Sequence, residues 1–116
     1  MTINLWALEL RCIETSRGGG DDEAYMMFNG QVLWGPQGME GGSVVDLSHI
    51  HYNITDRDVQ VRLREEDTFE DDDLGSQAFS KRDYDPWDNQ VRTTKFALNG
   101  ANYDFRWIFE SDSWNP

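Results

Sequence analysis

The stretch Val59 to Ser76, "VQVRLREEDTFEDDDLGS", holds two patterns that together decide the fold. Its first part alternates. Val59, Val61 and Leu63 fall on one face of an extended chain, and Gln60, Arg62 and Arg64 fall on the other. That period of two is the signature of a half-buried strand. Its second part crowds acids from Glu65 to Asp73 and then closes on Leu74 and Gly75. Two like charges about 4 Å apart repel by roughly 4 kcal/mol at an effective dielectric near 20. A loop with several such pairs must stay disordered, fan its carboxylates into water, or hold a cation.

The same strand pattern continues outward in both directions. "LWALELRCI" reads as a strand with Leu8, Leu10 and Cys12 on one side and Glu9 and Arg11 on the other. "EAYMMF" and "QVLW" flank Asn29-Gly30, and both positions of a type I′ turn want positive φ, so this is a hairpin signal. "GPQGMEGGS" reads as a glycine-rich connection, "VVDLSHIHYNI" as an irregular strand, and "LGSQAFS" as a further strand. "KRDYDPWDNQ" is a polar excursion. "TTKFAL" and "ANYDFRWIFE" flank a second turn at Asn99-Gly100, and Tyr103, Phe105, Trp107 and Phe109 share a face of the last strand. No long helix, repeat or linker is legible. The expected fold is an all-β, antiparallel β-sandwich of seven or eight strands in a single domain, residues 1–116.

Composition narrows the function. The chain has 116 residues, a size that suits one core. Its net charge of −12 argues against a nucleic-acid partner, which demands a basic stripe. The same charge disfavours adsorption to anionic lipid unless a divalent cation reverses the local sign. One cysteine, Cys12, excludes an intrachain disulfide and leaves the redox compartment open. "MTINLWALELRCIE" has neither a basic start nor a long apolar run, so no signal peptide or membrane anchor is expected. The location stays open between the cytoplasm and export by a route without a cleaved signal.

A second acidic segment, "ETSRGGGDDEAY", lies between the first two strands. Loops that follow strands in a sandwich gather at its ends. If the two acidic loops share an end, several carboxylates converge there. Ca²⁺ takes six to eight hard oxygens, and its charge turns their repulsion into attraction. Gly18, Gly19 and Gly20 would let the first loop fold tightly and offer carbonyls.

These residues resemble a known family. "REEDTFEDDDLG" looks like the third calcium loop of C2 domains, an acid-x-Asp pair followed by a later Asp and an apolar-Gly step. "GGGDDEAYMMF" resembles their first calcium loop. The resemblance implies an eight-stranded sandwich with calcium between the loops at one end. Residue by residue, it implies Glu65 and Asp67 as the acid-x-Asp pair and Asp72 or Asp73 as the later ligand. It implies Asp22 or Glu23 as the acid before Tyr25, Glu14 near the first ligand, and Phe69 as a loop-tip aromatic. Ala24 departs from the usual Pro, Glu stands twice for Asp, and the third loop is one residue short. "NGQVLWGP", Asn29 to Pro36, is also similar to compact bacterial relatives. The implied function is a non-enzymatic calcium-binding module that docks onto a protein or a phospholipid surface. The alternative is a carbohydrate-binding sandwich that uses exposed aromatics and keeps calcium structural. The oligomeric state is open.

Other features have plainer readings. The acidic run as a solvated face is the rival to calcium. His49 and His51 suit cross-strand polar contacts better than a zinc site, which needs further ligands. Cys12 reads as a buried, inert thiol. Trp87 and Trp114 read as plugs or edge covers of the sandwich rather than sugar platforms. No nucleophile triad or phosphate-cradling glycine motif is present.

Overall fold

The structure is a computed structural model and describes residues 2–16, 21–55, 57–67, 70–85, 87 and 90–111. Nine strand segments occur among them: β1 (Ile3–Glu14), β2 (Asp22–Phe28), β3 (Gln31–Met39), β4 (Val44–Asp46), β5 (His51–Ile54), β6 (Val59–Glu65), β7 (Asp72–Phe79), β8 (Arg92–Phe96) and β9 (Asn102–Ser111). They form two antiparallel sheets. One has the order β4-β1-β9-β8 with β5 also on β1, and the other has the order β3-β2-β6-β7. β4 pairs with Glu9 to Arg11 and β5 with Ile3 to Trp6, along the same edge of β1. The nine segments therefore fill eight places, as expected of a seven- or eight-stranded sandwich.

The alternation seen in sequence builds the core. Val59, Val61 and Leu63 of β6 are buried, and so are Tyr103, Phe105, Trp107 and Phe109 of β9. Phe79 of β7 meets Trp107 edge-on at 4.8 Å between ring centroids, and Phe96 of β8 stacks on Phe105 at 5.9 Å. Such pairs contribute about 0.5–1.5 kcal/mol each beyond area burial. The buried indole N–H of Trp107 donates to Thr94 Oγ1 at 2.9 Å, so it is not left unpaired. Asn29 and Gly30 adopt φ of 50° and 82°, and Asn99 and Gly100 adopt 55° and 84°. Both Asn-Gly pairs turn the hairpins anticipated for them.

Three expectations change. Leu8 does not share a face with Leu10 and Cys12. β1 skips register between Ala7 and Glu9 against β9, so Leu8 is the extra residue of a bulge. Before the bulge Ile3, Leu5 and Ala7 face inward, and after it Leu10 and Cys12 do. "GPQGM" is not a loop but the second half of β3, and only residues 40–43 connect it to β4. Trp87 is 93% exposed and plugs nothing. Cys12 is buried as expected.

The apolar-Gly step that closes the acidic run is also a bulge. Leu63 pairs with Gly75 and Arg64 with Asp73, which leaves Leu74 as the extra residue of β7. Leu74 is buried, and its carbonyl accepts from Leu98 N–H at 3.0 Å. Gly75, at φ +143°, brings β7 so close to β8 that a Cβ there would lie 2.8 Å from Phe96 Cβ. This step holds the start of β7 against the opposite sheet.

Candidate metal site at the acidic end

Antiparallel pairing puts the ends of β1, β3, β6 and β8 and the starts of β2, β4, β7 and β9 at one end of the sandwich. The two acidic loops are neighbours there. Ala24 pairs with Glu65, and Glu66 N–H donates to the Glu23 carbonyl at 2.8 Å. Glu23 and Asp67 thus stand at the same end of the molecule.

Strand parity then sorts the acids. In β2 the inward series Phe28, Met26, Ala24 continues to Asp22, and in β6 the inward series Val59, Val61, Leu63 continues to Glu65. Both carboxylates lie over the end of the core, with 0% and 1% of their surface exposed. Tyr103, the first inward residue of β9, donates its hydroxyl to Asp22 Oδ2 at 2.7 Å. Ser16 N–H donates to Asp22 Oδ2 at 3.0 Å. Ser16 Oγ lies 2.6 Å from Asp22 Oδ1 and 2.9 Å from Glu65 Oε2. A hydroxyl carries one proton. The Ser16 hydroxyl therefore stands between the two carboxylates and donates to one of them at a time.

Burial and donation to Asp22 push the Tyr103 phenol far up, so it stays a donor. Cys12 is hydrogen-bonded with Tyr103, and burial pushes its thiol up, with the negative charge of Asp22 acting in the same direction. The residues that sequence reasoning missed are Ser16 and Tyr103. Tyr103 was placed on the right face, and its position at the start of an inward series beside two acidic loops was the available signal. Nothing in the sequence singled out Ser16.

The other expected ligands are placed differently. Glu14 is exposed past a second bulge in β1, between Cys12 and Glu14. Glu23 points outward by parity and is exposed. Asp67 is exposed, and its N–H donates to Asp71 Oδ1 at 3.1 Å. Asp72 and Asp73 are half-buried at the start of β7, and Asp73 Oδ1 accepts from Gly75 N–H at 3.1 Å. Asp71, which was not among the expected ligands, accepts the Tyr25 hydroxyl in a short hydrogen bond. That bond, with the Asp67 N–H, holds the Asp71 carboxyl below the usual range. Among the described residues no three acidic, histidine or cysteine side chains meet closely enough to hold a metal as they stand. Ser16, Asp22 and Glu65 nevertheless offer hard oxygens, two of the groups being carboxylates, which is the donor chemistry that calcium takes. His51, far from this end, stacks on Trp6 at 4.4 Å. Phe69, Trp114 and the three glycines at 18–20 lie outside the described residues.

No protein-family model matches the sequence, and no curated protein sequence does. Solved structures match the fold. The tandem C2 domains of Extended-Synaptotagmin 2, calcium bound, superpose with a TM-score of 0.61 at 13% identity over 94% of this chain and 44% of that one. Human GIVD cytosolic phospholipase A2, in complex with an inhibitor and terbium chloride, gives 0.56 at 15% identity over 97% and 17%. A structure of a C2 domain gives 0.53 at 14% identity over 96% of this chain and 99% of its own. The chain thus spans less than half of the two larger proteins and nearly all of the isolated domain. No helix among the described residues is long and apolar enough to cross a membrane. At these identities the likeness concerns fold alone, and the protein is a β-sandwich of the C2-like fold.

Proposed function

We propose that this C2-like domain is a non-enzymatic module whose acidic end takes a calcium ion and, so loaded, docks onto a phospholipid surface or a protein. One observation carries the reading. Carboxylates from two strands, Asp22 at the start of β2 and Glu65 at the end of β6, meet across the hydroxyl of Ser16, which is 49 residues from Glu65 in sequence. Asp22 and Glu65 would form the inner side of the site. Glu14, Glu23, Asp67, Asp72 and Asp73 are the reserve from which calcium would draw the remaining oxygens of its shell of six to eight. Bound calcium would supply two positive charges where acidic side chains outnumber basic ones. The neighbour described as calcium bound supports this choice of ion.

Calorimetric titration with Ca²⁺, with Mg²⁺ as control, tests it. Calcium should bind with micromolar to millimolar affinity, and magnesium, which demands a stricter octahedron, should bind worse. Asp67→Asn, at an exposed position, should weaken calcium binding without loss of the fold. Heat in neither titration would sink the reading. Sedimentation with phosphatidylserine vesicles, with and without calcium, then separates a lipid surface from a protein partner.

A second reading rests on Trp87. Its indole is 93% exposed on the excursion between β7 and β8, a placement that suits stacking on a sugar ring. Loss of glycan binding in Trp87→Ala, with calcium binding intact, would favour that function over the first.

A further inference from the structure

The outer face of β2 and β3 carries a feature that the calcium reading does not use. Tyr25, Met27, Val32 and Pro36 line a hollow of about 430 Å³, and Glu66 and Asp71 stand at its margin. Met27 also borders a second hollow of about 360 Å³, beside Asn29, Gln60 and Arg62. Met27 borders both hollows, so they adjoin in a trough along β2, with Glu66, Asp67 and Asp71 lining one and Arg62 the other. Val32, which lines the first hollow, is 47% exposed, a large apolar side chain left open to water.

The acidic end is held in place. The Asp71 carboxylate accepts the Tyr25 hydroxyl and the Asp67 N–H, and Arg64 Nη2 donates to the Asp71 carbonyl at 2.9 Å. Acceptor capacity remains on its oxygens. A cation that arrives there joins Arg64 beside a carboxylate already held by the Tyr25 hydroxyl, so little ordering remains to oppose binding. We infer that this trough docks an extended peptide segment that carries a lysine or arginine beside an apolar side chain. The cation would sit between Glu66 and Asp71, and the apolar side chain on Val32 and Pro36. An extended chain advances about 3.3 Å per residue, so the span from Tyr25 to Asn29 accommodates roughly four or five residues. Nucleic acid and anionic lipid meet the wrong sign at these carboxylates. A second copy of this chain, at a net charge of −12, is repelled as a whole.

The test is a two-dimensional amide NMR titration of the whole chain in a calcium chelator, so that its outcome is independent of calcium binding. The probes are two synthetic pentapeptides, one alternating valine with lysine and one with glutamate in place of lysine. The lysine peptide should shift the amides of Tyr25, Met27 and Val32 in a saturable way, with an affinity in the weak range of small interfaces. Glu66→Gln and Val32→Ser, both at exposed positions, should each weaken it about fivefold, the weight of one surface interaction. Three results overturn the inference: no shifts at these amides, equal binding of the glutamate peptide, or unchanged affinity in both variants. Shifts of the same amides with protein concentration alone would assign the trough to a second copy and overturn it equally.

Discussion

Asp22 and Glu23 are adjacent in sequence and opposite in fate. Asp22 points into the sandwich, is fully buried, and accepts hydrogen bonds from Ser16 and Tyr103. Glu23 points out to solvent, and its tie to the other acidic loop is through its backbone carbonyl. Glu65 and Glu66 repeat the contrast one strand away: Glu65 is 1% exposed and reaches Ser16, whereas Glu66 lies on the outer rim. The same residue types thus do two jobs at one end of the molecule. The inward pair closes the core and concentrates negative charge in a medium of low dielectric, where a counter-charge counts for more. The outward set shapes the surface potential, which salt screens.

The sharpest way to break this comparison is to remove one acid of each kind. Asp22→Ala strips the acceptor from Tyr103 and Ser16 and should cost about 3 kcal/mol, whereas Glu23→Ala should stay within about 0.5 kcal/mol. Urea unfolding followed by tryptophan fluorescence measures both. Equal effects would mean that parity does not sort these acids. Calcium itself should come next. At a hundredfold excess over its dissociation constant it should add about 2.7 kcal/mol to stability. A thermal scan with and without calcium reads this, and the gain should shrink in Asp22→Asn.

Gly75→Ala tests the bulge near the start of β7. With φ at +143° and Phe96 Cβ 2.8 Å from the added carbon, it should cost about 2 kcal/mol in the same urea measurement. Tyr103→Phe removes one donor to Asp22 and should cost about 1 kcal/mol. The smallest effect belongs to the outer face. The Tyr25 phenol is pushed up to about 12, chiefly by burial and then by donation to Asp71. It loses its proton later in the folded chain than in the unfolded one. Its contribution is therefore present below pH 10 and lost as the pH rises through 12. The lowered Asp71 carboxyl behaves in the opposite sense: its contribution is present above 3.8 and lost as the pH falls through its folded value. Tyr25→Phe should flatten both limbs of a stability-pH profile. A profile unchanged by the substitution would uncouple Tyr25 from Asp71.

Much of the fold was legible because strand parity and turn chemistry are local. Val59 to Leu63 and Tyr103 to Phe109 announced their buried faces, and the two Asn-Gly pairs announced their turns. The bulges were not legible. In β1, Ala7, Leu8 and Leu10 are all apolar, so nothing in the residues themselves marks where one face gives way to the other. Only the pairing with β9 decides it. "GPQGM" looked like a loop because glycine and proline punctuate chains, yet β2 draws it into the sheet as an irregular edge. Trp87 looked like a plug because large aromatics are usually covered, yet it stands bare on the excursion.

The candidate site divides in the same way. The sequence alone determined that this chain is an all-β sandwich and that two acid-rich segments follow strands. Its net charge alone argued against a nucleic-acid partner. The tertiary structure decided that Asp22 and Glu65, rather than Glu23 and Asp67, face each other, and it brought in Ser16 and Tyr103 as their partners. The reason is that a strand sets only the alternation of its side chains. Which of the two faces is the inside, and what waits there, depends on strands dozens of residues away.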